Sequence, residues 1–111
     1  MFEFLPEKED IMLKHIVMWK LKDHAEGKSK DENAAVMKGM LESLQKKIPE
    51  IESLEVGINI DPSGAAYDIV LYSEFMDEAS LSVYQEHPEH LKVAEFVAKI
   101  REERAVVDYL V

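Results

Sequence analysis

Cysteine is absent from this chain of 111 residues. Disulfides, thiolate metal sites and a cysteine nucleophile are therefore excluded. Long apolar runs are missing as well: no stretch approaches the roughly 20 apolar residues of a membrane-spanning helix. Basic residues are scarce against acidic ones, with 13 Lys and Arg facing 23 Asp and Glu for a net charge of −10. A field of that sign repels nucleic-acid phosphates and anionic lipid, so neither nucleic acid nor a membrane surface is an expected partner. The opening stretch MFEFLPEKED lacks the basic and apolar regions of a secretory leader, and a cytoplasmic protein is the expectation. There is no GxGxxG, P-loop, HExxH or EF-hand spacing, and no serine is framed as a nucleophile elbow. No metal or organic cofactor is expected.

What is present is the composition of a globular domain, 47% apolar and 32% charged. Met12 to Val111 is expected to form one domain, with residues 1–11 a short N-terminal extension. Leu13 to Lys22 alternates between two faces as a strand does, with His15, Val17, Trp19 and Leu21 on one and Ile16, Met18 and Lys20 on the other. A polar loop containing Gly27 follows. Ala34, Met37, Leu41, Leu44 and Ile48 then recur at helical spacing, which predicts a helix over roughly Asp31 to Lys47, ended by Pro49. Glu52 to Ile60 and Tyr67 to Phe75 alternate again and flank the turn signal DPSG, as the arms of a hairpin with a longer loop. Asp77 is a candidate N-cap for a helix through Gln85. Pro88 cannot continue that helix but can open another, which predicts a break at His87-Pro88. The second helix should run to about Arg101, with Leu91, Ala94, Phe96, Val97 and Ile100 on its apolar side. Arg104 to Val111 is rich in strand formers.

This order is the βαββαβ pattern of an α+β, ferredoxin-like fold. A single four-stranded antiparallel sheet would carry its helices on one face and leave Ile16, Met18 and Val70 bare on the other. A homodimer packing two such sheets face to face, a dimeric α+β barrel, would cover them.

The stretch VYQEHPEH gathers Tyr84, His87 and His90 at spacings of three. A metal site is disfavoured because Pro88 separates the two histidines into different elements. The remaining choice is between a catalytic group and the hydrogen-bonded polar core of a non-catalytic barrel. His87 precedes the Pro88 helix, where it could serve as a cap or a hinge contact, and His24 lies in the polar loop facing solvent.

At MLKHIVMWKLK, IPEIESLEVGINI, YDIVLYSEF and YQEHPEHL the chain resembles the stress-responsive A/B barrel domain family, over about Met12 to Val111. The resemblance implies a dimeric α+β barrel, which agrees with the topology derived above. It implies less about activity. One branch, that of the plant olivetolic acid cyclase, closes a poly-β-keto chain by aldol condensation, and its site would fall on His15, Tyr84 and His90. In that chemistry His90 would be the general base, Tyr84 would polarise the acceptor carbonyl, and His15 would orient His90 or relay its proton. The expected ligand is a small apolar or aromatic molecule in a pocket lined by Val17, Trp19, Leu81 and Phe96.

Overall fold

The computed structural model describes residues 11–111, so the expected N-terminal extension lies, apart from Ile11, outside the described residues. Strand β1 (Leu13–Leu21) runs antiparallel to both β5 (Ile69–Phe75) and β6 (Arg101–Leu110), and β4 (Ser53–Ile58) pairs antiparallel with β5. The sheet order is β4-β5-β1-β6. Helices α1 (Lys30–Lys47), α2 (Glu78–Glu86) and α3 (Pro88–Ile100) complete the βαββαβ order. The fold is the α+β, ferredoxin-like one.

The alternation in β1 separates the two faces. Leu13, Val17, Trp19 and Leu21 are buried in the core together with His15, while Lys14, Ile16, Met18 and Lys20 are not. Against them α1 places Ala34, Met37, Leu41, Leu44 and the capping Ile48, all buried. The start of α1 is a capping box: Ser29 Oγ accepts from the Glu32 N–H, and Glu32 accepts from the Ser29 N–H. Lys46 and Lys47 occupy the last turn, where positive charge suits the helix dipole.

The polar loop before α1 holds more order than expected. His24–Ala25 (β2) and Lys28–Ser29 (β3) form a small hairpin. Its two-residue turn, Glu26-Gly27, has positive φ at both positions, 52° and 75°, as a tight hairpin turn requires. Asn33 is fully buried and donates to the Ala25 carbonyl at 3.0 Å, which ties the hairpin to α1.

Two expectations need correction. The first arm of the long hairpin ends at Ile58, two residues early, because the chain leaves the sheet there. Ile60 is 97% exposed rather than on the core face. Helix α3 is also phased differently: Val93, Val97 and Ile100 are buried, Phe96 is half-buried, and Leu91 is exposed. The packing of α3 over the sheet sets its rotation about its axis, and the apolar spacing within α3 alone does not fix it.

Strand β6 starts at Arg101, directly where α3 ends, and is exposed along nearly its whole length. Its register with β1 contains a bulge: Lys20 pairs with Glu103, but Leu21 pairs with Arg101, leaving Glu102 as the extra residue.

Candidate functional site

Tyr84 and His90 are positioned by short local devices. Asp77 caps α2 by accepting from the Ser80 N–H at 2.8 Å. That fixes a helix whose last turn buries Tyr84. His87 then ends α2 and starts α3: its N–H donates to the Tyr84 carbonyl, and its Nδ1 accepts from the Glu89 N–H at 3.1 Å. His87 is thus a cap, with Pro88 in the first turn where its missing N–H costs nothing.

His90 follows in the first turn of α3. Its Nδ1 lies 3.0 Å from the Gln85 carbonyl oxygen. A carbonyl can only accept, so Nδ1 carries the proton and Nε2 keeps its lone pair. Burial lowers the pKa of His90 below the ordinary 6.5, against the pull of the Gln85 carbonyl; the nearby charges of His15, Arg104 and His87 lower it further. The positive end of the α3 dipole acts in the same direction. The group is a neutral imidazole at pH 7.

The ring of Tyr84 stands 4.5 Å from that of His90, centroid to centroid, and 6.2 Å from that of His15. Phe75 packs against Tyr84 at 5.0 Å. Burial pushes the Tyr84 phenol up to about 12, with Arg104 opposing it, so it is a proton donor and not a phenolate. Its hydroxyl is enclosed and has no hydrogen-bond partner among the described residues.

His15 is buried on β1, and Asp108 is its directly paired residue on β6. The Asp108 carboxylate is bonded to His15 Nδ1, which fixes the ring. His15 therefore sits behind Tyr84, in edge contact with it.

A cavity of about 310 Å³ opens beside these groups. Val17 and Trp19 of β1, Leu41 of α1, Leu71 of β5 and Val93 and Val97 of α3 form its apolar walls. Its polar lining is Tyr84, His90, Arg101 and Arg104. Two of the four expected pocket residues, Val17 and Trp19, are thus on the wall. Leu81 and Phe96 are not: Leu81 is buried in the core below Tyr84, and Phe96 packs against the core from a different side of α3. His15 is also absent from the wall, one ring further in. A larger hollow of about 590 Å³ lies on the opposite face of the sheet, among Met18, Ile58, Ile60, Tyr67 and Val70, and holds no histidine.

Asp108, Arg101 and Arg104 were not among the expected site residues. Asp108 had a weak signal, a lone acid inside the apolar run AVVDYLV, but its pairing with His15 depends on strand register. Among the described residues no group of three or more His, Asp or Glu side chains is placed to hold a metal ion. Likewise, among them no helix is long and apolar enough to cross a membrane.

The family model of the stress responsive A/B barrel domain matches residues 13–111. The chain belongs to that family. A dimeric ferredoxin-like protein of unknown function from Bacteroides fragilis is 40% identical, with 88% of this chain and 94% of that chain covered and a TM-score of 0.75. A second dimeric ferredoxin-like protein of unknown function, from Thermobifida fusca, is 20% identical, covering 91% and 92% of the two chains at a TM-score of 0.78. A hydroxynitrile lyase from Passiflora edulis is 21% identical, covering 90% and 93% at a TM-score of 0.74. The last two share the fold. Comparison with curated proteins gives no match. In this A/B barrel chain, then, the cavity rather than the family must carry the functional argument.

Proposed function

We propose that this A/B barrel protein is a cofactor-independent enzyme that moves a proton on a small apolar or aromatic carbonyl compound. His90 Nε2 takes a proton from the carbon next to the carbonyl. The electron pair left behind moves onto the carbonyl oxygen, and the Tyr84 hydroxyl donates a hydrogen bond to that oxygen. His15, held by Asp108, acts through Tyr84 by fixing the ring from behind. If the substrate carries a second carbonyl within reach, the enolate carbon attacks it, a carbon–carbon bond forms, and the new alkoxide takes the proton back from His90. That is a polyketide-type cyclisation.

The observation that carries this reading is a neutral imidazole, its Nε2 lone pair unused, beside a tyrosine whose enclosed hydroxyl has no partner among the described residues, both lining one cavity with apolar walls. A polar core with only a packing role should satisfy its own hydroxyl, since a buried unpaired hydroxyl costs about 1–3 kcal/mol. A carbonyl oxygen entering the cavity would offer the phenol its partner.

The proposal includes a homodimer. On the face away from the helices Met18 is 38%, Val107 52% and Tyr109 41% exposed, and β1 and β6 lay these residues side by side. A second copy packed sheet to sheet covers this face, and the 40% identical Bacteroides protein is described as dimeric.

The test is deuterium incorporation, followed by NMR, at the CH2 next to the ketone of methyl 4-oxo-4-phenylbutanoate, a neutral aryl ketone. Wild type should accelerate exchange, and His90→Ala should lose about 10²–10⁴-fold of the acceleration. Equal rates in both proteins would contradict the assignment.

A further inference from the structure

The chain contains two arginines, Arg101 and Arg104, against eleven lysines. Both line the cavity that holds Tyr84 and His90. Three residues apart on a regular strand, they would point to opposite faces. The bulge at Glu102 removes that difference: Arg104 pairs with Trp19 and Arg101 with Leu21, two residues of the same buried face of β1. A bulge beside a site is a common device for re-aiming a side chain. Among the described residues neither arginine has an ion-pair partner, whereas Lys14, Lys30, Lys38, Lys47 and Lys92 all do.

We infer that Arg101 and Arg104 hold the carboxylate of an aryl or alkyl keto acid whose ketone end lies at Tyr84 and His90. The inference rests on the proposed function and adds the substrate class. A guanidinium presents a planar fork of donors that matches a carboxylate, which a lysine ammonium does not. The net charge of −10 repels anions from the surface as a whole, so an anionic substrate needs a local cationic site, and this cavity is where the chain's arginines converge. The apolar walls take the aryl or alkyl body, and the two ends of the ligand are told apart by charge. Arg104 is also close enough to Tyr84 and His90 for its charge to be felt at both. In that position it favours the negative charge that develops on the carbonyl oxygen.

The test pairs two probes, 4-oxo-4-phenylbutanoate and its neutral methyl ester, and measures the Kd of each by calorimetry at low ionic strength. Wild type should bind the acid at least ten-fold more tightly than the ester, and the preference should shrink as salt is raised. In Arg101→Gln/Arg104→Gln, whose changes lie at exposed positions, it should collapse to about two-fold or less. In His90→Ala the preference should persist although exchange is lost. No preference in wild type, or an undiminished one in the double variant, would overturn the inference. If the ester still exchanges in a His90-dependent way, that result leaves the proton-transfer reading standing. If neither probe exchanges with wild type, that reading fails while the acid preference can still be read from the binding data.

Discussion

Tyr84 and His90 are adjacent in space because a proline separates them in sequence. Within one helix, six residues apart, they would point in different directions. With α2 ended at Glu86 and α3 opened at Pro88, their rings meet at 4.5 Å. The Gln85 carbonyl, in the last turn of α2, then sets the His90 tautomer. Tyr84→Phe removes an enclosed hydroxyl that has no partner among the described residues, so thermal unfolding should occur at the same or a higher temperature than in wild type. The same substitution should slow ketone exchange by about 10²-fold, the usual effect of losing one donor to a developing oxyanion. A marked drop in melting temperature would mean that the hydroxyl is bonded and structural.

Among the elements, α1 depends on a cap that its apolar stripe does not reveal. Ser29→Ala removes the Oγ acceptor of the Glu32 N–H, one arm of the capping box, and should cost about 1 kcal/mol. The urea midpoint should fall while the slope of the transition stays the same. The signature Ser-Lys-Asp-Glu, Ser29 to Glu32, is plain in the sequence; a start at Asp31 missed it by one residue because the apolar spacing alone was followed. The strands, the Asp77 cap and the break at Pro88 were legible for a physical reason. Each is fixed by local chemistry, namely alternation, a side-chain acceptor or a missing N–H. Val17 and Trp19 were legible as cavity wall because they share a strand face with His15. Leu81 and Phe96 were not, since the orientation of α2 and α3 over the sheet is set by tertiary packing. Arg101 and Arg104 were hidden by the bulge, which alters the face of every residue on one side of it. Asp108 was hidden because register with a strand 93 residues away in sequence decides its partner.

For the whole molecule, the face opposite the helices combines apolar side chains with a polar cluster that satisfies itself. Lys14 Nζ donates to the Tyr72 hydroxyl at 2.5 Å and pairs with Glu74 at 3.1 Å, and Tyr72 donates to Glu74 at 2.7 Å. The Tyr72 hydrogen bond and Lys14 hold the Glu74 carboxyl below its usual range. A face of this kind can be covered without stranding a charge. Wild type should therefore sediment at twice the chain mass of 12.8 kDa at micromolar concentration. Val107→Glu, which places an unpaired carboxylate opposite Ile16 in the middle of the face, should sediment as the single chain. A wild-type monomer would contradict the dimer.

If His90 is the neutral base proposed above, the pH profile of ketone exchange reports its titration. Burial and the neighbouring His15, Arg104 and His87 hold the His90 pKa below 6.5, so the base is free at neutral pH and is lost only as pH falls through that lowered value. The wild-type kcat/KM for exchange of methyl 4-oxo-4-phenylbutanoate should rise with pH to a midpoint below 6.5, with the rise absent in His90→Ala. A midpoint above 6.5, or a profile unchanged by His90→Ala, would contradict the assignment of His90 as the base.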